Sequence, residues 1–148
     1  MPKELTILGK NVGAELQPEM VEKTEDGSII IIIATDAPMD SRQLKRLAKR
    51  ASLGLARTGS IAHHGSGDII IAFSNGYKVF TDADDEKINL SIINEGSKLI
   101  SLLFQGVVES VEEAILNSLF TAETTLGRLE RKREELPVKE ILKLLQDK

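Results

Sequence analysis

The residues best suited to chemistry in this chain are hydroxyls set at the edges of two apolar runs. Ser28 lies in Asp26-Gly27-Ser28, directly before five consecutive isoleucines, Ile29 to Ile33. Ser66 and Asp68 lie in Gly65-Ser66-Gly67-Asp68, directly before Ile69, Ile70 and Ile71. A serine hydroxyl becomes an effective nucleophile when a neighbouring base takes its proton, and a turn at a strand edge leaves room for a ligand beside it. Asp-Gly-Ser is also an ordinary turn, because Asp tolerates left-handed backbone, Gly supplies positive φ and Ser opens the strand. With no cysteine in the chain, disulfides, thiolate metal sites and thiol nucleophiles are excluded. The available chemistry is that of hydroxyl, carboxylate, amine and imidazole.

Two further candidates carry less weight. His63 and His64 are adjacent, so on an extended segment they point to opposite sides, and no third metal ligand is placed by spacing. The Gly-Ser-Gly-Asp loop has backbone amides for a phosphate, yet it leads into a strand and lacks the lysine of a P-loop. No cofactor or metal is expected.

The elements that must position these residues follow from periodicity. Ser28 to Ala34 is a β-branched run too short for a helix, and reads as a central strand buried on both faces. Pro38 pushes its predecessor toward extended backbone, and Asp40 or Ser41 then caps a helix in DSRQLKRLAKRASLGLA. Leu44, Leu47, Ala48, Ala51 and Leu55 form its apolar stripe. Its other face carries Arg42, Lys45, Arg46, Lys49 and Arg50, which reads as a solvated or subunit-facing surface. No aromatic residue is interleaved there for base stacking. Ile69 to Phe73 is a second apolar strand. Ser97 to Glu123 reads as one long helix or a broken pair with Gly106 as its weak point. After the charged run GRLERKREE, Pro137 starts a last helix with Val138, Ile141, Leu142 and Leu145 on one side. At the start, ELTILGKNVGAELQ reads as a short strand, a glycine-containing turn and a second short strand, and Pro18 to Asp26 is polar and charged.

Composition agrees with one layered α/β domain over residues 1–148. The chain is 41% hydrophobic but only 3% aromatic, so its core is aliphatic. It has no apolar run long enough to span a membrane, and Lys3, Glu4, Lys10 and Glu15 interrupt its first residues, so a cytoplasmic protein without a membrane partner is expected. A formal charge of -4 argues against nucleic acid as partner.

The runs GSIIIIIATDAPMDSRQLKRLAKRASLGLARTGS and HHGSGDIIIAFS, followed by VEEAILNSLFTAETTLGR, resemble the C-terminal part of the DmpA-like aminopeptidases, the D-aminopeptidase and β-peptidyl aminopeptidase family. The resemblance runs from about Leu5 to Gly127, with the motifs in family order. It implies an αββα sandwich of the N-terminal-nucleophile type, incomplete in this chain. It implies self-cleavage between Gly27 and Ser28, so that residues 1–27 end an α-chain and residues 28–148 form a β-chain whose first residue, Ser28, is the nucleophile. The freed α-amine, with a reference pKa of about 7.7 to 8.0, then serves as general base on the same residue. Ser66 and Asp68 are implied as a hydrogen-bonded network beside it, with Asp68 favouring the protonated form of that amine.

The implied activity is removal of N-terminal residues from short peptides, amides or esters. The family's oxyanion asparagine belongs to a segment that would fall before Met1, and Asn11 does not match it. LERKREE also replaces the short Gly-containing segment expected after Gly127. The chain is therefore expected either as a catalytic β-part completed by an α-chain, or as a noncatalytic fragment that associates with itself or a complementary chain. A homo-oligomer is expected in either case. Acyl transfer of the ornithine acetyltransferase kind would call for threonine at position 28, where this chain has serine.

Overall fold

The computed structural model of the protein describes residues 2–16, 27–80 and 86–146. The polar stretch Pro18 to Asp26, including the acidic turn before Gly27, lies outside them. In chain order the elements are β1 (Thr6–Ile7), β2 (Lys10–Asn11), α1 (Val12–Leu16), β3 (Ile30–Thr35), α2 (Ser41–Arg57), β4 (Ile69–Ser74), α3 (Lys98–Phe120), β5 (Thr125–Leu126), β6 (Lys132–Arg133) and α4 (Val138–Gln146).

The central unit is β3, α2 and β4. The two strands pair in parallel with Ile30 opposite Ile69 and Thr35 opposite Ser74, and a parallel pair requires a crossover, here α2. Asp40 is the residue that caps α2. Its carboxylate accepts the Gln43 amide at 2.7 Å, while Gln43 Oε1 accepts the Asp40 amide at 3.1 Å, a reciprocal capping box. Gln43 is 1% exposed, and its remaining donor, Nε2, meets the Ile93 carbonyl at 2.7 Å, so burial of the amide costs little.

One face of the strand pair is covered by α2 and α3. Ile31, Ile33, Met39, Leu47, Ala51, Ile100, Val107 and Val111 form the main core. The expected stripe of α2 is thus seen at Leu47 and Ala51, with Leu44 packed at its margin. A second core joins Leu5, Ile7, Val12 and Ile141, with Leu116, Leu119 and Phe120 of α3 packed against it. Because α3 is anchored in both cores, it runs unbroken through Gly106 rather than splitting there.

Three expectations change. The opening segment forms the antiparallel pair β1 and β2, but the second strand is two residues long and passes at once into α1, whose Val12 is wholly buried. In α4, Ile141 is buried and Leu145 packs on the second core, whereas Leu142 is 48% exposed and off that stripe. Most consequentially, β3 is buried on one face only. Ile31 and Ile33 face the helices, while Ile30 and Ile32 are 66% and 64% exposed, and Ile69, Ile71 and Phe73 of β4 are about half exposed beside them. The isoleucine run carries enough apolar surface for two layers, and the described residues supply one.

Gly54 sets how closely the two long helices approach. A Cβ built there would lie 2.5 Å from the Val108 carbonyl oxygen and 2.8 Å from Val111 Cβ. Helix propensity alone favours alanine over glycine by about 1 kcal/mol, but overpacking against backbone costs about 1 to 3 kcal/mol. Gly54→Ala is therefore expected to destabilise the protein in urea denaturation. A raised midpoint would show that α2 and α3 move apart freely and that the contact is slack.

Candidate active site

The 39-residue offset between β3 and β4 continues past the amino ends of both strands, and this continuation builds the site. It brings Ser28 opposite Gly67 and Ile29 opposite Asp68. The Gly67 amide donates to Ser28 Oγ at 3.0 Å, and the Ile29 amide donates to Asp68 Oδ1 at 3.1 Å. The same Asp68 oxygen accepts the Ser66 hydroxyl at 2.6 Å, a short charge-assisted bond. The Ile69 amide then bonds the Ile29 carbonyl at 3.0 Å, where the regular ladder begins.

Two runs far apart in sequence thus place Ser28, Ser66 and Asp68 at one end of one strand pair. Asp68 fixes the first turn of β3 relative to the loop, and the loop amide fixes the Ser28 hydroxyl. The Ser66 amide closes a turn to the His63 carbonyl at 2.8 Å, so the amides of both Ser66 and Gly67 are already engaged within the protein. That leaves the phosphate-cradle reading of this loop without those donors. Gly27, Ser28 and Gly67 are exposed, while Ser66 and Asp68 are half-buried. A reacting group therefore has access to Ser28 while its neighbours are held. His63 lies half-buried at the start of the turn and His64 is exposed. Among the described residues no cluster of three or more His, Asp or Glu is placed to hold a metal.

Sequence reading missed the two backbone donors of this site, since an amide of Gly67 or Ile29 leaves no mark in residue type. It also missed the engagement of the basic face of α2. Arg42 and Arg46 pair with Glu95 at 2.7 and 3.0 Å, and the Arg50 guanidinium lies 4.0 Å from the centre of the Phe104 ring. The Arg42 guanidinium, hydrogen-bonded to Glu95, holds that carboxyl below its usual range. Arg42, Arg46 and Arg50 recur every fourth residue, one ridge of the helix, and that spacing was the available signal. These contacts tie the start of α3 to α2 and take three of the five cations out of any free basic surface.

No described helix is long and apolar enough to cross a membrane. The chain is 36% identical over 138 residues to the beta-peptidyl aminopeptidase BapA of Sphingosinicella microcystinivorans, an alignment covering 83% of this chain. Its fold matches the crystal structure of the PH0078 protein from Pyrococcus horikoshii OT3 with a TM-score of 0.84 and 46% identity over 97% of this chain. It matches the l-aminopeptidase d-ala-esterase/amidase from Ochrobactrum anthropi, a prototype serine aminopeptidase with a variant of the Ntn hydrolase fold, with a TM-score of 0.79 and 30% identity, again over 97%. The layered α/β arrangement is thus part of a fold of that type. The chain spans 34% of the length of the curated relative and 39% of each of these two solved chains. The model of peptidase family S58 matches residues 1–133. With its strand pair, its Gly-Ser and Gly-Ser-Gly-Asp elements and this match over most of its length, the chain belongs to peptidase family S58.

Proposed function

We propose that this chain is the nucleophile-bearing part of a self-processing serine aminopeptidase that removes N-terminal residues from short peptides, amides or esters. The observation that carries the reading is the convergence of Ser28, Ser66 and Asp68 through hydrogen bonds of 2.6 to 3.1 Å, with Ser28 exposed beside Gly27. In the proposed sequence, Ser28 Oγ attacks the Gly27 carbonyl carbon and the Gly27-Ser28 C–N bond breaks. The proton of Oγ passes to the departing nitrogen, leaving an ester. The shift frees the α-amine of Ser28, and water then cleaves the ester, giving a carboxylate at Gly27 and restoring the Ser28 hydroxyl. That amine, on the same residue as the hydroxyl, takes the proton from Oγ in each later attack on a substrate.

Such attack also needs donors for the oxyanion, and the resemblance assigns that role to an asparagine upstream of residue 1. Loss of one such donor costs about 10² to 10³ in rate. The purified chain alone is therefore expected to remain one species near 16.2 kDa by intact mass. Supplied with the upstream region, it is expected to split between Gly27 and Ser28. A completed protein that stays whole would sink the self-processing reading. Complete cleavage of the chain by itself would show that no upstream donor is needed.

A second reading, a noncatalytic subunit that works by association, draws support from the open apolar face of β3 and β4.

A further inference from the structure

Glycine is needed in this fold for two physical reasons, and Gly67 meets neither. Gly9 and Gly59 hold positive φ, which a side chain opposes. At Gly13, Gly54, Gly59 and Gly76 an added Cβ would strike a backbone carbonyl oxygen. The φ of Gly67 lies outside the left-handed region, and a Cβ built there would meet, among the described residues beyond its chain neighbours, a single atom: Ser28 Oγ, at 3.7 Å. The direction of that absent side chain follows from the residues on either side. Ser66 and Asp68 turn toward one another, with the Ser66 hydroxyl donating to Asp68 Oδ1 at 2.6 Å. On a chain running into a strand the residue between them points the opposite way. Here that way is toward the Ser28 hydroxyl, which the Gly67 amide holds at 3.0 Å. Both residues belong to this chain and their separation follows from the β3–β4 register, so the distance does not depend on what else packs over the site.

We propose that Gly67 sets the clearance of the acyl-transfer site: its missing side chain keeps open the space beside Ser28 Oγ into which the carbonyl of an incoming peptide, amide or ester comes. The proposal rests on the aminopeptidase reading. Attack brings the carbonyl carbon to within about 3 to 3.5 Å of Oγ. A methyl group at 3.7 Å from the same oxygen intrudes on that space, because non-bonded carbons sit best at separations of about 3.5 to 4.0 Å. Self-cleavage makes a different demand. The Gly27 carbonyl reaches Oγ through a ring of Ser28's own atoms, so no separate molecule has to enter past residue 67. Bulk at position 67 therefore separates the two reactions, slowing turnover of an added substrate more than the intramolecular cut.

The test uses the completed protein, this chain with its upstream region, carrying Gly67→Ala or Gly67→Val. Both variants keep the amide that holds Ser28. For a small aminoacyl amide, kcat/KM is expected to fall about tenfold in Gly67→Ala and about 10²-fold in Gly67→Val. Intact mass is expected to show both variants still cut between Gly27 and Ser28, and the urea midpoint of Gly67→Ala is expected to be unchanged or raised. Turnover by Gly67→Ala equal to the parent's would overturn the proposal. So would loss of self-cleavage in step with turnover, which would show that residue 67 acts by placing Ser28 and not through the space beside it. A valine variant that fails to fold leaves the alanine variant to decide. Failure of the underlying reading looks different: the parent itself would stay whole, or Ser28→Ala would keep the parent's activity, and this proposal would fall with it.

Discussion

Turnover of a small aminoacyl amide by the completed protein, this chain together with its upstream region, is expected to fall about 10⁴- to 10⁶-fold when Ser28 becomes alanine. The size of the effect follows from the double role proposed for one residue. Without Oγ there is no acyl shift at Gly27, so the α-amine at residue 28 is never released. The variant then lacks both nucleophile and base. Folding gives no rival explanation, because Ser28 is exposed and, among the described residues, its side chain makes one hydrogen bond, as acceptor from Gly67. An exposed substitution of this kind is expected to shift stability by less than about 0.5 kcal/mol. Steady-state kcat/KM with intact mass on the same sample decides the question. Activity within tenfold of the parent would remove Ser28 from the reaction.

Much of this arrangement is legible in the sequence, and the reasons are local. A run of β-branched residues bounded by Gly-Ser and Asp-Ala-Pro has few conformations open to it besides a strand. Pro38 followed by Asp40 or Ser41 marks a helix start that is readable from residue types, whereas the reciprocal bond from Gln43 is seen only in the structure. What stayed hidden depends on partners. The offset that carries Ser28 to Gly67 is set by the length of α2 and its connections, so no feature of either loop announces it. The composition of β3 predicts burial on both faces, but exposure of Ile30 and Ile32 depends on which layers the chain brings with it. Gly106 is a weak point on local grounds, because a glycine costs about 1 kcal/mol in a helix. The helix holds because its ends are fixed in different cores, a tertiary effect that outweighs the local one.

The same distinction between local chemistry and tertiary placement separates two roles of Asp68. Its Oδ1 accepts both the Ser66 hydroxyl and the Ile29 amide, so it is at once a strut for the start of β3 and a negative charge beside Ser28. Asparagine keeps a carboxamide oxygen able to accept both bonds and removes only the charge, whereas alanine removes both. If the charge matters to catalysis, Asp68→Asn and Asp68→Ala lose turnover alike in the completed protein, by about 10²-fold, the scale of a charge acting on a proton transfer. Stability should then split them. Alanine leaves the Ile29 amide and the Ser66 hydroxyl without their acceptor and is expected to cost about 1 to 3 kcal/mol, while asparagine stays near the parent. If Asp68 were only a strut, asparagine would instead retain activity within a few-fold while alanine lost it in step with stability. Measuring kcat and urea midpoints for the pair therefore assigns the charge and the geometry separately, and an active Asp68→Asn would show that the network positions Ser28 without helping to move its proton.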